Sequence, residues 1–156
     1  MPVPQFGEPA SGREHKDRPA AFGIAEQDGR IALVRVEKVG SAPWLDLPGG
    51  ALDPGEDEAA ALVREFGEET GLAIRAGERF TRADQYFLKT DGEAVNNRAG
   101  FWAVASFAPA PQLKIEDDHT LVWLDPHEAI VRLRHEAHAW AVAAWLRRRG
   151  DIAGDR

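Results

Sequence analysis

Residues 50–72, GALDPGEDEAAALVREFGEETGL, are the part of the chain whose sequence most narrowly limits its structure. Asp57 follows a Pro-Gly turn and is suited to cap the N-terminus of a helix. Gly71 is suited to end that helix, because glycine adopts the left-handed backbone of a helix C-terminus without strain. We therefore predict a helix over residues 57–70. Its apolar side chains share one face, which another layer of structure must cover: Ala59, Leu62, Val63 and Phe66.

Three glutamates of this helix, Glu65, Glu68 and Glu69, fall within about a 100° arc beside the apolar face. Like charges at these spacings repel each other by about a few tenths of a kcal/mol per pair, so the cluster destabilises the helix unless it binds cations. The tandem glycines upstream let the backbone approach a ligand and present a carbonyl oxygen to it. Hard oxygen ligands of this kind favour Mg²⁺ or Mn²⁺ over zinc. The alternative, a helix whose solvated face is acidic, explains neither the glycines nor Arg64.

The same residues resemble the Nudix box, G-x5-E-x7-R-E-U-x-E-E-x-G-U, in which U is aliphatic or aromatic. Every constrained position is filled at its required spacing: Gly50, Glu56, Arg64, Glu65, Phe66, Glu68, Glu69, Gly71 and Leu72. The resemblance extends in outline over residues 20–149, but only the box itself is specific. It implies an α/β fold of the Nudix type, which is an α/β/α sandwich with a mixed central β-sheet.

The resemblance also implies a Mg²⁺-dependent hydrolase, with Mn²⁺ as a substitute ion, that cleaves a nucleoside diphosphate linked to another group. The residues that it assigns to catalysis are Arg64, Glu65, Glu68 and Glu69. The metal ligands are those three glutamates and the carbonyl of Gly49, and the structural residues of the motif are Gly50, Glu56 and Gly71. One glutamate that is not saturated by metal serves as general base for the attacking water. Family members differ in which glutamate this is, so the choice stays open here.

Other patterns place strands on both sides of the acidic helix and a helical region near the C-terminus. The Asp-Gly pair at residues 28–29 lies between two apolar runs and predicts a hairpin. The Asp-Pro pair at residues 125–126 predicts the start of a helical region that reaches residue 149, with a break near Arg134 and Gly150 as its left-handed terminating residue. Further strands are predicted over residues 44–50, 79–90, 100–108 and 119–125.

Domain organisation and partners follow from composition. Residues 1–18 are rich in proline, glycine and alternating charges and predict a flexible N-terminal arm, whereas residues 19–150 form the predicted Nudix hydrolase domain.

The net charge of −7 argues against a nucleic acid polymer but allows a small nucleotide bridged by metal ions. No cysteine is present, which excludes disulfides and a cysteine nucleophile. Without an apolar span or signal sequence, we expect no membrane association and a cytoplasmic monomer or homodimer.

Residues outside the box supply candidates for substrate binding: Trp44, Tyr86, Phe87 and Asp118. The three aromatic residues lie on predicted strands and can stack a base, although such residues more often belong to a core. The aspartate lies in an acidic run where Nudix enzymes often place an additional acid, and a solvated turn is an equally good interpretation. His135 and His138 are one residue short of the zinc motif H-E-x-x-H, so we interpret them as histidines on a helix surface.

The choice of substrate is made by elimination. The ADP-ribose branch of the family carries a proline beyond the box, at a position where this chain has Phe87 or Leu88. Tyr86 comes earlier than the tyrosine of the dinucleoside polyphosphate branch. The resulting hypothesis is a (d)NTP pyrophosphohydrolase that releases NMP and diphosphate. The alternatives are hydrolysis of ADP-ribose, an NDP-sugar or a dinucleoside polyphosphate, a non-catalytic nucleotide-sensing Nudix domain, and an acidic module that binds a basic protein.

Overall fold

The computed structural model describes residues 2–154, with side chains described as far as residue 150. The strands of this part of the chain are β1 (Gln5–Phe6), β2 (Lys16–Ile24), β3 (Glu26–Gln27), β4 (Arg30–Val36), β5 (Trp44–Asp46), β6 (Gly49–Ala51), β7 (Leu72–Leu88), β8 (Ala94–Pro109) and β9 (His119–Leu124). Its helices are α1 (Glu58–Thr70), α2 (Pro126–Arg132) and α3 (Glu136–Gly154), and a 3-10 turn covers Pro111–Leu113.

The strands form two sheets. The first has the order β1-β7-β8-β2-β6, and the second has the order β3-β4-β5 with β9 also paired to β4. Strands β1 and β7 are parallel, as are β2 and β8, whereas the remaining pairs are antiparallel. The first sheet is therefore mixed, as the resemblance to the Nudix family implied.

Helices cover both faces of these sheets. Phe22 of β2 belongs to a buried core that includes Trp145 of α3. The preceding residue, Ala21, belongs to a second core that includes Phe66 of α1. Successive side chains of a strand point to opposite faces of its sheet, so α1 lies on one side and α2 and α3 lie on the other. This arrangement confirms the predicted α/β/α sandwich.

Helix α1 begins and ends where its capping residues predicted. The side chain of Asp57 accepts a hydrogen bond from the backbone N–H of Ala60 at 2.8 Å. Gly71 has the left-handed φ of 73°, and its N–H donates to the carbonyl of Gly67 at 2.9 Å. Phe66 is fully buried, which anchors the helix on the sheet and fixes the direction of its acidic side.

The N-terminal segment enters the first sheet earlier than its sequence predicted. Strand β1 pairs with β7, and β2 begins at Lys16, with Arg18 opposite Asn97 of β8. The predicted arm over residues 1–18 therefore overlaps two strands. The polar residues of this segment give no strand pattern in the sequence. It forms strands only because it pairs with β7 and β8, which lie far along the chain. The flexibility of this segment and the boundaries of the domain stay predictions.

Three local predictions can be compared with the backbone. Asp28 and Gly29 have φ values of 53° and 80° and form the turn between β3 and β4, which confirms the hairpin. The predicted break near Arg134 separates α2 from α3. The prediction for Gly150 was wrong, because α3 continues to Gly154. A single exposed glycine costs a helix only about 1 kcal/mol, which the remaining residues of α3 outweigh.

Candidate active site

The acidic side of α1 lies against the two glycines of β6. The backbone N–H of Gly49 donates to Oε1 of Glu69 at 3.0 Å. A Cβ built on Gly50 would lie 2.9 Å from the carboxyl carbon of Glu65. A side chain at residue 50 would displace this carboxyl group, which gives the first glycine of the motif a physical role.

Arg64 joins the loop before α1 to the acidic cluster. Its guanidinium donates two hydrogen bonds of 2.8 Å to Glu56 and one of 2.8 Å to Glu65, and it lies 3.4 Å from Glu68. It also donates to the carbonyl of Ala51 at 3.2 Å. The hydrogen bonds from Arg64 lower the pKa of Glu56 to about 2, and Glu56 in turn raises the pKa of Arg64. Arg64 and Glu56 thus form an ion pair with two hydrogen bonds, which fixes the loop to the helix.

Burial raises the pKa of two carboxyl groups of the cluster, those of Glu65 and Glu69. Glu69 is 7% exposed, and burial raises its pKa well above the ordinary value, against the effect of the Gly49 N–H. Burial also raises the pKa of Glu65, which the hydrogen bond from Arg64 opposes. Desolvated acids that repel each other gain from a divalent cation, and their oxygens are the donors that Mg²⁺ and Mn²⁺ prefer. The residues therefore fit the implied metal.

His119 of β9 faces the cluster and was not predicted from the sequence. Its Nε2 lies 3.5 Å from Oε2 of Glu69, and its Nδ1 lies 2.7 Å from Oδ1 of Asp118. Asp118 also pairs with Lys38, whose ammonium lowers the pKa of this acid to about 2. Ligand atoms of Glu116, Asp118 and His119 lie within 4.8 Å of one another, so this edge can also hold a cation. The acidic run marked the place, but the histidine gave no signal of its own.

A cavity of about 250 Å³ opens beside the cluster. Its lining includes Gly49, Gly50, Glu69 and His119, together with the cationic residues Arg18, Lys38, Lys89 and Arg134. Arg18 donates to Oδ1 of Asn97 at 2.9 Å. Burial lowers the pKa of Arg18, while Glu65 and Glu69 raise it, so its guanidinium lies in the field of these two acids. Sequence analysis missed Arg18 because it was assigned to the arm.

A second part of the cavity wall is aromatic. Arg134 donates to both carboxylate oxygens of Asp46, at 3.2 and 2.8 Å, and its guanidinium carbon lies 4.3 Å from the ring centre of Trp44. Phe87 lies on the same wall, 5.6 Å from that carbon. Two of the predicted aromatic residues are therefore brought together. Tyr86 packs instead on His15, with 5.0 Å between ring centres, and the side chain of Asp118 pairs with Lys38 and His119.

His135 and His138 lie in the cavity wall, so the interpretation as surface histidines was wrong. They are 6% and 2% exposed, and their ring centres are 5.3 Å apart. The break before α3 turns the start of this helix toward the sheet, where Nδ1 of His138 accepts a hydrogen bond from the N–H of Leu47 at 3.1 Å. Burial lowers the pKa of each histidine to about 3, so both are neutral near pH 7. They belong to no cluster of three metal-ligating side chains within the described residues.

This combination of an α/β/α sandwich with a capped acidic helix facing two glycines defines a hydrolase of phosphoanhydride bonds. The chain belongs to the NUDIX domain family, whose family model matches residues 15–146. It is therefore a Nudix hydrolase, and the family acts on nucleoside diphosphate derivatives. No helix within residues 2–154 is long and apolar enough to cross a membrane.

Individual relatives are similar over much of the chain. A CTP pyrophosphohydrolase of Escherichia coli K12 is 32% identical over 108 residues, which are 69% of this chain and 75% of that protein. The solution structure of the E. coli ORF135 protein matches with a TM-score of 0.67 and 27% identity, over 86% of this chain and 92% of that one. The MutT NUDIX hydrolase from Burkholderia pseudomallei matches with a TM-score of 0.60 and 26% identity, over 83% and 98%.

Proposed function

We propose that the protein is a Mg²⁺-dependent pyrophosphohydrolase of nucleoside or deoxynucleoside triphosphates that releases NMP and diphosphate. The observation that carries this proposal is a single cavity lined by an acid of the Nudix box, by four cationic side chains and by aromatic rings. A triphosphate needs all three kinds of contact. The similarity to a CTP pyrophosphohydrolase supports the same substrate class and makes CTP and dCTP the first compounds to test.

The residues of the box have distinct roles in this proposal. Glu65, Glu68, Glu69 and the carbonyl of Gly49 would hold the divalent ion, which when bound would shield the charge of the anhydride oxygens and lower the pKa of a water molecule. Arg64 neither binds the metal nor moves a proton. It holds Glu65 in place through its hydrogen bond of 2.8 Å and anchors the loop through Glu56. The Gly49 N–H holds Glu69 in the same manner.

Hydrolysis of the anhydride between the α- and β-phosphates requires one water and one base. The water oxygen forms a new bond to phosphorus as the bridging P–O bond breaks, and its proton passes to a glutamate that is not saturated by metal. Arg18, Lys38 and Lys89 line the cavity and bind the phosphate oxygens, whose negative charge grows on the leaving group. The products are NMP and diphosphate. Under this proposal the protein acts on free nucleotides in the cytoplasm, as a monomer or homodimer.

A panel of candidate substrates tests the proposal. The panel holds CTP, dCTP, the other triphosphates, ADP-ribose, an NDP-sugar and a dinucleoside polyphosphate, each with Mg²⁺, with Mn²⁺ and with chelator. Chromatography of the products is expected to give NMP and diphosphate from a triphosphate, and only with metal. Preferred cleavage of another compound would overturn the substrate assignment. Nucleotide binding without any cleavage would indicate a sensor, and the absence of both would favour an acidic protein-binding module.

A further inference from the structure

His135 carries a polar atom without a partner. Its imidazole lines the cavity and is 6% exposed. Nε2 of His135 is buried and forms no hydrogen bond. Among the buried side-chain nitrogens and oxygens of the described residues, it alone has no partner. Buried polar atoms of folded proteins are bonded in the large majority, and an exception calls for a physical reason.

The surroundings of His135 indicate which kind of partner is missing. The ring centre of Phe87 lies 4.7 Å away and that of His138 lies 5.3 Å away. Arg134 precedes His135 in the chain and lies over the ring of Trp44. Flat aromatic walls with one free polar atom suit a flat heteroaromatic ring that forms hydrogen bonds along its edge. They do not suit a phosphate, for which Arg18 and the lysines are the better partners.

The protonation state of His135 agrees with this assignment. Burial and the neighbouring His138 lower the pKa of His135 to about 3, so the ring is neutral near pH 7 and offers one donor and one acceptor. A neutral imidazole recognises the carbonyls, amino groups and ring nitrogens of a base. In the structure Nε2 is covered, so its contact with a base requires a turn about χ2, which is a soft torsion in histidine.

We propose that His135 reads the edge of the nucleobase through a hydrogen bond of Nε2 and thereby sets the base preference of the enzyme. This inference rests on the proposed function, because it names the part of the same cavity that holds the base. It assigns a role in substrate specificity to a histidine outside the Nudix box. His138 acts differently, because its Nδ1 is already bonded to the backbone of Leu47.

Kinetics of His135→Phe test the proposal, since phenylalanine keeps the ring and removes both nitrogens. We expect KM for the preferred triphosphate to rise about tenfold, with kcat within about twofold of wild type. The preference among bases is expected to shrink, and turnover of the base-free analogue 2-deoxyribose 5-triphosphate is expected to stay unchanged. His127→Phe is the matched control, because the side chain of His127 is 80% exposed. An unchanged base preference, or an equal loss with the base-free analogue, would overturn the inference.

A second measurement uses the wild-type chain and decides the matter if the variant does not fold. The protein has five histidines, so ¹⁵N-histidine labelling gives a small set of ring signals. Nucleoside monophosphate is expected to shift the Nε2 signal of His135, whereas ribose 5-phosphate and the His127 signal serve as negative controls. An Nε2 signal that no nucleotide moves would refute the role of His135. If no triphosphate is cleaved by wild type, the proposed function itself fails, which is a separate result.

Discussion

Gly50 and Glu65 are in such close contact that a Cβ built on the glycine would lie 2.9 Å from the carboxyl carbon of the glutamate. Arg64 donates to an oxygen of the same carboxylate at 2.8 Å. The strand and the helix therefore fix the position of this carboxylate together. Under the proposed function this placement matters for catalysis, because a reacting group displaced by about 1 Å can lose about a hundredfold in rate.

Gly50→Ala is expected to leave the fold nearly intact and to impair the site. The new methyl group meets the flexible end of a side chain, so Glu65 moves aside rather than the backbone. We expect kcat/KM to fall by about tenfold to a hundredfold. Stabilisation of the protein by Mg²⁺ is expected to weaken as well. Both effects are measured by initial rates and by thermal unfolding with and without the ion, and wild-type values for both would contradict the prediction.

Gly49→Ala is expected to fail in a different way. A Cβ on Gly49 would lie 2.1 Å from the backbone oxygen of Ala21, and the φ of this glycine is 145°. Neither the neighbouring strand nor this backbone conformation tolerates a side chain. We therefore expect the free energy of unfolding to fall by about 3 kcal/mol or more. Urea unfolding compares the two alanine variants. Equal stability of Gly49→Ala and wild type would refute the geometry assigned to β6.

Glu69→Gln is expected to separate stability from catalysis. The side chain of Glu69 is buried, and removal of its charge relieves both desolvation and repulsion by Glu65. We expect the metal-free variant to be at least as stable as wild type, while turnover falls by orders of magnitude because an amide is a poor ligand of Mg²⁺. In wild type, an ion at a hundred times its Kd adds about 2.7 kcal/mol of stability. Thermal unfolding is expected to show this gain in wild type only.

The control for Glu69→Gln must be an acid that makes few contacts. Glu58 lies on the same helix but accepts hydrogen bonds from Trp102 at 2.9 Å and from Arg82 at 3.0 Å, so its removal would disturb the packing of α1. Glu128 is the better choice, because its side chain is half-exposed and pairs only with Arg132 among the described residues. Glu128→Gln is expected to retain wild-type turnover. Equal behaviour of the two variants would refute the catalytic role of Glu69.

Local signals and distant contacts explain what the sequence could reveal. Helix α1 was predictable because Asp57 and Gly71 cap it within the same stretch that carries the glutamates. The position of Arg18 in the cavity was not predictable, because it depends on the register of β2 against β8. His135 was misinterpreted for a related reason. A helix pattern places a side chain on a face, but only the packing of α3 on the sheet decides that this face is buried.

The two buried histidines, His135 and His138, are expected to lower the free energy of unfolding in acid. Their pKa values are lowered from 6.5 to about 3 in the folded chain, so the unfolded chain binds more protons between these values. Stability is therefore complete above pH 6.5 and falls as the pH is lowered toward 3. At pH 5 each histidine lowers the free energy of unfolding by about 2 kcal/mol relative to neutral pH. His135→Phe is expected to remove its share, so urea unfolding at pH 7 and pH 5 should differ less in this variant than in wild type.

Arg18→Gln tests the phosphate side of the cavity. The guanidinium of Arg18 is partly desolvated and retains its charge, so the anionic oxygens of a triphosphate are a favourable partner for it. We expect kcat/KM to fall by about tenfold to a hundredfold for every triphosphate, including the base-free analogue. The order of preference among bases is expected to persist, in contrast to His135→Phe. Arg30→Gln, at an exposed arginine of the hairpin, is the matched control and should be neutral. A changed base preference in Arg18→Gln, or an unaltered kcat/KM, would contradict the division of the cavity into a phosphate side and a base side.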